Sequence, residues 1–415
     1  MLFRSMDIGK DWQKKEKAII SSVITPSGRY ERKYDTTRGS LGLTYKQGAH
    51  HWSTTLNQQK QKFITQTATG TAKNIDLESV YTYYGDKHWA TIGAEIRQDD
   101  YYQYVPFVAS TPRRPRPSYT ISAKVTNYAL FVQDEMRLLD ERLTLVPGAR
   151  FERHSRYGTN ISPRLSALYD FGHDLKMRAS VGSAFKSPGL QALYMTDIRN
   201  HTATQYLQSN PNLKPEKAIT ANIGIEKRMQ NFPLWGSLSA FQSNVKNMIS
   251  TEYSGKNYPG TSIPIDVYIN VDSVTIRGLE AAWELGHKTG PYLHGTLGAS
   301  RSRVKAGVNA GKSLHRSPRF EASLIPGYNA PSGSWGTQLT WTHIGRHFYN
   351  AANTRSIRAH DVVDISAWIN MPAKGLKNPL RLALNLGNLT NSDKGSVPGT
   401  YRTGRSINLT LDGSF

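Results

Sequence analysis

Arg405–Phe415, RSINLTLDGSF, is the stretch that decides the fold. Ile407, Leu409, Leu411 and Phe415 fall on one face of an extended chain, with Gly413 among them. Ser406, Asn408, Thr410, Asp412 and Ser414 fall on the other. A period of two marks a strand with one apolar and one polar face. The same alternation sets Leu143, Leu145, Ala149 and Phe151 against Thr144, Arg150 and Glu152. It also sets Leu380, Leu382, Leu384 and Leu386 against Arg381 and Asn385. A soluble sandwich would show this pattern too. Against it, Tyr169, Phe171, Phe232, Trp235, Trp283, Tyr328, Trp335, Trp368 and Phe415 gather beside short turns. Amphipathic rings settle at the headgroup level of a bilayer, so this clustering is what an interfacial girdle requires.

From about Thr120 onward one unit repeats: a β-rich run of roughly ten residues, a short turn, a second run and a longer loop. Short turns are predicted at Leu139–Glu141, Phe171–Asp174, Gln230–Pro233, Gly286–Pro291, Asn329–Ser334 and Met371–Pro379. Long polar connections alternate with them at Phe185–Pro215, Asn247–Ile269, Arg303–Ser313, Arg346–His360 and Thr390–Thr403. One end with short turns and the other with long loops is the asymmetry of periplasmic and extracellular faces. In the amino-terminal hundred residues the strand candidates are Lys17–Ile24, Gly39–Lys46, Asn74–Tyr84 and His88–Arg97. The whole chain yields roughly eighteen strands. Thr111–Ser118, TPRRPRPS, reads as a stiff, extended loop and not as a linker, so a single domain over 1–415 is predicted.

Only 38% of the residues are hydrophobic and mean hydropathy is −0.52. Nothing approaches the roughly 20 consecutive apolar residues of a spanning helix, so a helical membrane protein is excluded. A transmembrane β-barrel stays open, because its alternating strands average out as hydrophilic. Lys and Arg number 52 against 31 Asp and Glu, a net charge of +21 that implies attraction to something anionic. The basic residues are scattered, not gathered into one helix or tail, which argues against nucleic acid. Lipopolysaccharide phosphates, an anionic ligand at the loops, or simply a solvated surface account for the same charge. There is no cysteine, which removes disulfides, thiolate metal sites and a cysteine nucleophile. The start, MLFRSMDIGKDWQKK, has no apolar core of a secretory signal, so a signal would lie upstream or the protein is not exported. No HExxH, GxSxG, Walker or EF-hand pattern is present, and the expectation is that the protein is not an enzyme.

Three stretches resemble a known family in order and spacing. YALFVQDEMRLLDERLTLVPGAR (Tyr128–Arg150) is similar to the hairpin with an FxQDE start and an LxLxxGxR strand in TonB-dependent outer-membrane receptors. GSAFKSPGL (Gly182–Leu190) resembles their GxxFRAPxL box, and NPNLKPE (Asn210–Glu216) their NPxLKPE box. NVDSVTIRGLE (Asn270–Glu280), LNLGNLTN (Leu384–Asn391) and the final strand match more weakly. Physically, Pro211 and Pro215 hold the residues before them extended, which marks entry from a long loop into a strand. Both boxes are therefore expected to be scaffold and not ligand contacts.

The resemblance implies an all-β fold, an antiparallel transmembrane barrel of the bacterial outer membrane that closes with about 22 strands around an amino-terminal plug. The roughly eighteen strands read here predict an incomplete barrel without the plug and first strands. It implies uptake of a ferric siderophore energised through TonB acting on the plug, with no cofactor and no metal site of its own. A haem receptor of the same family and an unplugged general pore are the alternatives. An outer-membrane hydrolase or a soluble basic β-protein stands further off. Partners would be outer-membrane lipid and lipopolysaccharide, the TonB system and the barrel-assembly machinery, which the terminal Phe415 would address. Candidate ligand contacts are Arg113, Arg114 and Arg116 in the proline-rich loop and Tyr194, Arg199, His201 and Tyr206 between the two boxes. Arginines donate to catecholate or carboxylate chelates, tyrosines stack, and His201 lies between the two boxes, as does a histidine in the haem importers that resemble this family.

Overall fold

The computed structural model describes residues 6–11, 16–25, 28–65, 68–106, 117–195, 198–202, 205–229, 232–372, 379–392 and 404–413, with side chains from 33 onward except 199–205 and 272. Arg113, Arg114, Arg116 and Phe415 lie outside these residues. The chain forms two compact units. One comprises Met1–Leu165, Gly182–Ala218 and Val245–Val271; the other comprises Ser166–Val181, Ile219–Asn244 and Asp272–Phe415.

The first unit is an antiparallel ladder. It runs through β1 (Met6–Asp11), β2 (Glu16–Thr25), β3 (Gly28–Gln47), β4 (His50–Thr65), β5 (Ala68–Tyr84), β6 (His88–Val105), β7 (Tyr119–Leu138) and β8 (Leu143–His154). β1 and β2 pair with opposite halves of β3, so they are two segments of one strand position. Each later strand pairs with the one before it. In chain order β9 (Gly158–Gly172), β10 (Leu175–Lys186), α1 (Leu190–Tyr194), β11 (Arg199–Thr202), β12 (Gln205–Gln208), β13 (Glu216–Arg228) and β14 (Leu234–Asn257) follow, of which β9, β10, β13 and β14 are each divided between the two units.

The second unit carries a ladder of β15 (Pro264–Gly286), β16 (Gly290–Val304), β17 (Phe320–Asn329), β18 (Trp335–Ile344), β21 (His360–Met371), β22 (Leu380–Gly387) and β23 (Ser406–Asp412). A two-stranded flap, β19 (His347–Phe348) with β20 (Ser356–Ile357), interrupts the connection from β18 to β21. Setting aside the short β11, β12, β19 and β20, and counting β1 with β2 once, the long strands among the described residues number about eighteen, as the sequence predicts.

Alternation places the apolar set on one exposed face. Ile407, Leu409 and Leu411 are 75%, 69% and 61% exposed. Cross-strand rows continue the pattern, with Ile92 opposite Val132, Leu130 opposite Phe151, and Leu384 opposite Leu409. Soluble proteins rarely expose contiguous apolar surface on this scale. The other face is polar: Arg150 bridges Glu95 at 2.6 Å and Glu152 at 2.8 Å. Turns at one end are tight. His173 and Asp174 both have positive φ, the geometry of a two-residue hairpin whose twist matches its strands.

Four expectations are corrected. Asn247–Ile269 is not an irregular loop: β14 and β15 continue as a hairpin arm that turns at Tyr258–Ile263. β4 was absent from the candidates, because HHWSTTLNQQKQKFIT is polar on both faces over most of its length. β3, β5 and β6 extend well beyond their predicted bounds for the same reason, whereas β2 matches the predicted Lys17–Ile24 to within one residue at each end. Trp368 turns away from the apolar face and lies under the Arg381 guanidinium at 4.6 Å, so it is not part of a girdle. Tyr169 with Phe171 (4.7 Å) and Tyr328 with Trp335 (5.3 Å) do pair beside the short turns.

The loop between β16 and β17 carries a pH-sensitive group. Burial, with the adjacent Arg316 guanidinium, holds the His315 imidazole below its ordinary range. The unfolded loop therefore binds a proton more readily than the folded one. Loop stability is complete above about pH 6.5 and falls as pH drops through the folded value. The Arg316 amide donates to the Phe348 carbonyl at 2.7 Å. Its hydrogen exchange, corrected for intrinsic rate, should accelerate on acidification below about pH 6.5. His315→Gln should abolish that acceleration, and unchanged protection in the native chain would contradict the linkage.

Candidate ligand-binding site

The two boxes fold the long connection after β10 back onto the first unit. In NPNLKPE the Asn210 side chain donates to the Tyr268 carbonyl at 2.9 Å and accepts from the Asn212 amide at 2.9 Å. Asn270 closes the clamp. It accepts from the Lys214 amide at 2.8 Å and donates to the carbonyls of Lys214 (2.9 Å) and Asn247 (2.8 Å). Leu213 is buried with Ala192 and Leu193, packed by Tyr157, Tyr194, Ile249 and Tyr268. This box is scaffold, as its prolines predict.

The other box has a second role. Phe185 to Leu190 lines a cavity of about 700 Å³ in the first unit, together with Lys73, Arg97, Tyr101, His154, Tyr157 and Tyr194. This lining surface adds to the scaffold part expected of the box. Gly189 is the N-cap residue of α1, and the Ala192 carbonyl of this single helical turn accepts from the Asn210 amide at 2.7 Å, where the chain returns. Tyr101 and Arg97 come from β6, Lys73 from β5, and Tyr157 from the turn after β8. A space of this size suits a drug-sized molecule.

Charge in the cavity is balanced, not simply positive. Arg97 pairs with Asp99 at 3.1 Å, Lys73 with Asp100 at 3.8 Å, and Lys186 with Glu216 at 3.1 Å. Lys186 is 79% exposed, so its ammonium meets water and can exchange partners. Arg156 stands over the Tyr194 ring at 5.0 Å and the Tyr157 ring at 5.9 Å. The Tyr194 hydroxyl beside its guanidinium raises the pKa of Arg156 above the ordinary value, so it stays cationic. Burial pushes the Tyr157 phenol up, which keeps it neutral. Its hydroxyl is buried beside the Arg156 guanidinium. Phenolic rings, a neutral hydroxyl and mobile cations are the elements that hold a planar, anionic aromatic chelate.

Of the candidates named from sequence, Tyr194 lines this cavity. Tyr206 does not: it is 0% exposed and stacked on Tyr258 at 4.2 Å with planes 15° apart. Its backbone pairs in parallel with Ile265, a local exception to the antiparallel rule. Arg199 and His201 lie in β11, paired with β12. Sequence reasoning missed Tyr101, Tyr157, Arg97 and Lys73. The run DDYYQY (Asp99–Tyr104) was the available signal, a cluster of tyrosines at the long-loop end of a strand.

Comparison with known proteins agrees with this architecture. Residues 10–389 match the family model described as TonB dependent receptor-like, beta-barrel. The chain belongs to that family, whose members are receptors and transporters and not enzymes. It is 28% identical over 242 residues to the vitamin B12 transporter BtuB of Photobacterium profundum, covering 58% of this chain and 36% of that protein. It is 29% identical over 289 residues to the ferrienterobactin receptor of Escherichia coli, covering 63% and 36%. The crystal structure of the ferric enterobactin receptor of Pseudomonas aeruginosa superposes with a TM-score of 0.72 at 18% identity, covering 94% of this chain and 62% of that one. The fold is thus that of the outer-membrane receptor barrel. The chain spans about a third of the length of these curated relatives.

Proposed function

We propose that this chain supplies most of the barrel of an outer-membrane receptor that takes up a ferric siderophore. The observation that carries the reading is the cavity at the long-loop end, where Tyr101, Tyr157 and Tyr194 converge with Lys73, Arg97 and Lys186. The ferrienterobactin receptor among its relatives supports the substrate class. The exposed apolar face supports a place in lipid. Uptake requires no bond to be made or broken in the ligand. Loops and cavity capture the chelate, and the TonB system, acting through a plug domain, draws it inward. Arg113, Arg114, Arg116, Arg199 and His201 are proposed as outer contacts on the approach path, and Phe415 as the residue the assembly machinery recognises.

Binding of a ferric tris-catecholate to the receptor in detergent, followed by quenching of tryptophan fluorescence, tests this. Tyr157→Ala with Lys186→Gln removes one ring and one cation, each worth about 1–2 kcal/mol, so affinity should fall roughly tenfold or more. Unchanged affinity would remove the cavity from the binding path. Haem titrated against the same variants, followed by its absorbance, separates the haem reading. Tight haem binding that depends on His154 would favour it.

A further inference from the structure

The exposed face of β15 and β16 changes character abruptly. Starting from the short turn at Gly286–Gly290, four consecutive cross-strand pairs on this face are apolar: Leu285 with Leu293, Trp283 with Gly295, Ala281 with Leu297, and Leu279 with Ala299. The next pair is Arg277 with Arg301, and one step further on β16 stands Arg303. All three arginines are exposed, as is Arg319 at the foot of β17. None of the four has a carboxylate partner within ion-pair distance among the described residues. Arg319 donates to the Ser313 hydroxyl at 3.3 Å. Like charges directly opposite one another on a sheet are destabilising, so the bare pair calls for an anion between them.

Position and shape say which anion. Arg277 is nine residues above Gly286; at about 3.3 Å per residue and a strand tilt of about 40°, it stands roughly 23 Å above the short-turn end. That is the height of the apolar band of an outer-membrane barrel, about 25 Å. A shallow, open groove of about 650 Å³ runs just below the arginines, lined by Ala221, Ile223, Leu279 and Ala299 and bordered by Arg277, Arg301 and Arg319. We propose that this groove and its arginine cluster bind a phosphorylated, multiply acylated lipid of the outer leaflet. Acyl chain lies on the apolar floor and phosphate lies between Arg277 and Arg301. The inference rests on the reading that the apolar face meets lipid. It adds a lipid site remote in sequence from the loops that approach the chelate.

The test uses the full-length receptor in nanodiscs of phosphatidylethanolamine. Lipid A carrying two phosphates is titrated in and bound lipid is counted by native mass spectrometry. Each arginine near a charged lipid surface contributes enough that losing two should weaken binding on the order of thirtyfold in Arg277→Gln/Arg301→Gln. Arg277→Lys/Arg301→Lys should retain most of it, and dephosphorylated lipid A should bind the native protein and the Gln variant alike. A charge-matched control, Arg137→Gln/Arg381→Gln, alters two cations that lie over Trp89 and Trp368 and should leave lipid binding unchanged. Equal lipid A binding by the native and Gln proteins overturns the proposal, as does displacement of the lipid by millimolar inorganic phosphate alone. Heat-modifiable migration is read on every sample. A native chain that never inserts sinks the membrane reading itself, whereas an inserted chain with unaltered lipid binding sinks only this site.

Discussion

Leu130→Arg should destabilise the protein in a bilayer by about 2–4 kcal/mol, the cost of placing a guanidinium at mid-depth on the lipid face of a barrel. Leu130 is 59% exposed, between Ala94 on β6 and Phe151 on β8. In a water-soluble protein such a surface substitution would be nearly neutral. The sign and size of the effect therefore report the solvent. Gln133→Arg, on the opposite face of the same strand, is the control and should cost under about 0.5 kcal/mol. Urea unfolding in lipid vesicles, followed by tryptophan fluorescence, gives both values. Equal midpoints for the two variants would mean that the apolar face does not meet lipid.

A second large effect is expected from a single methyl group. At Gly278 a Cβ would sit 2.7 Å from the Ala299 carbonyl oxygen and 2.7 Å from the Phe241 ring, which lies over the glycine. Backbone on one side and a packed ring on the other cannot both retreat, so Gly278→Ala should cost about 1–3 kcal/mol through overpacking. Gly298 is the comparison, since its nearest neighbour, the Glu321 carbonyl, would be 4.0 Å away. Gly298→Ala should be neutral or stabilising by up to about 1 kcal/mol, because it restricts the unfolded chain. Equal loss of folded, heat-modifiable protein in the two variants would contradict the interlock. The arrangement recurs on the polar face: Phe131 lies over Gly93, Tyr292 over Gly327 and Trp368 over Gly336, each pair directly opposite in register.

The sequence showed the strands wherever one face meets an apolar phase and the other does not. β8, β22 and β23 alternate residue by residue and were legible for that reason. β4 was not, because its Gln58–Lys62 stretch is polar on both faces and period two vanishes when neither face is apolar. The arm at Met248–Asn257 was hidden in the same way. Trp368 shows the limit of composition: a tryptophan near a turn belongs to a girdle only if its parity puts it on the outer face. The cavity was illegible for a different reason. Lys73, Arg97, Tyr157 and Tyr194 are brought together by register across β5, β6 and β8 and by one helical turn, none of which local pattern supplies. Tyr194 alone was nameable, since it stands between two recognisable boxes.

The absence of native cysteine makes one measurement especially clean. Single cysteines placed in turn at Thr91, Ile92, Ala94, Glu95, Ile96 and Arg97 of β6 accept a nitroxide label without background. Its collision rates with oxygen and with a water-soluble nickel complex report lipid or water at each site. Labels at Ile92, Ala94 and Ile96 should be accessible to oxygen and shielded from nickel, while those at Thr91, Glu95 and Arg97 should show the reverse, with a strict period of two. Nickel accessibility at all six positions would contradict the central claim that this sheet is the wall of an outer-membrane barrel.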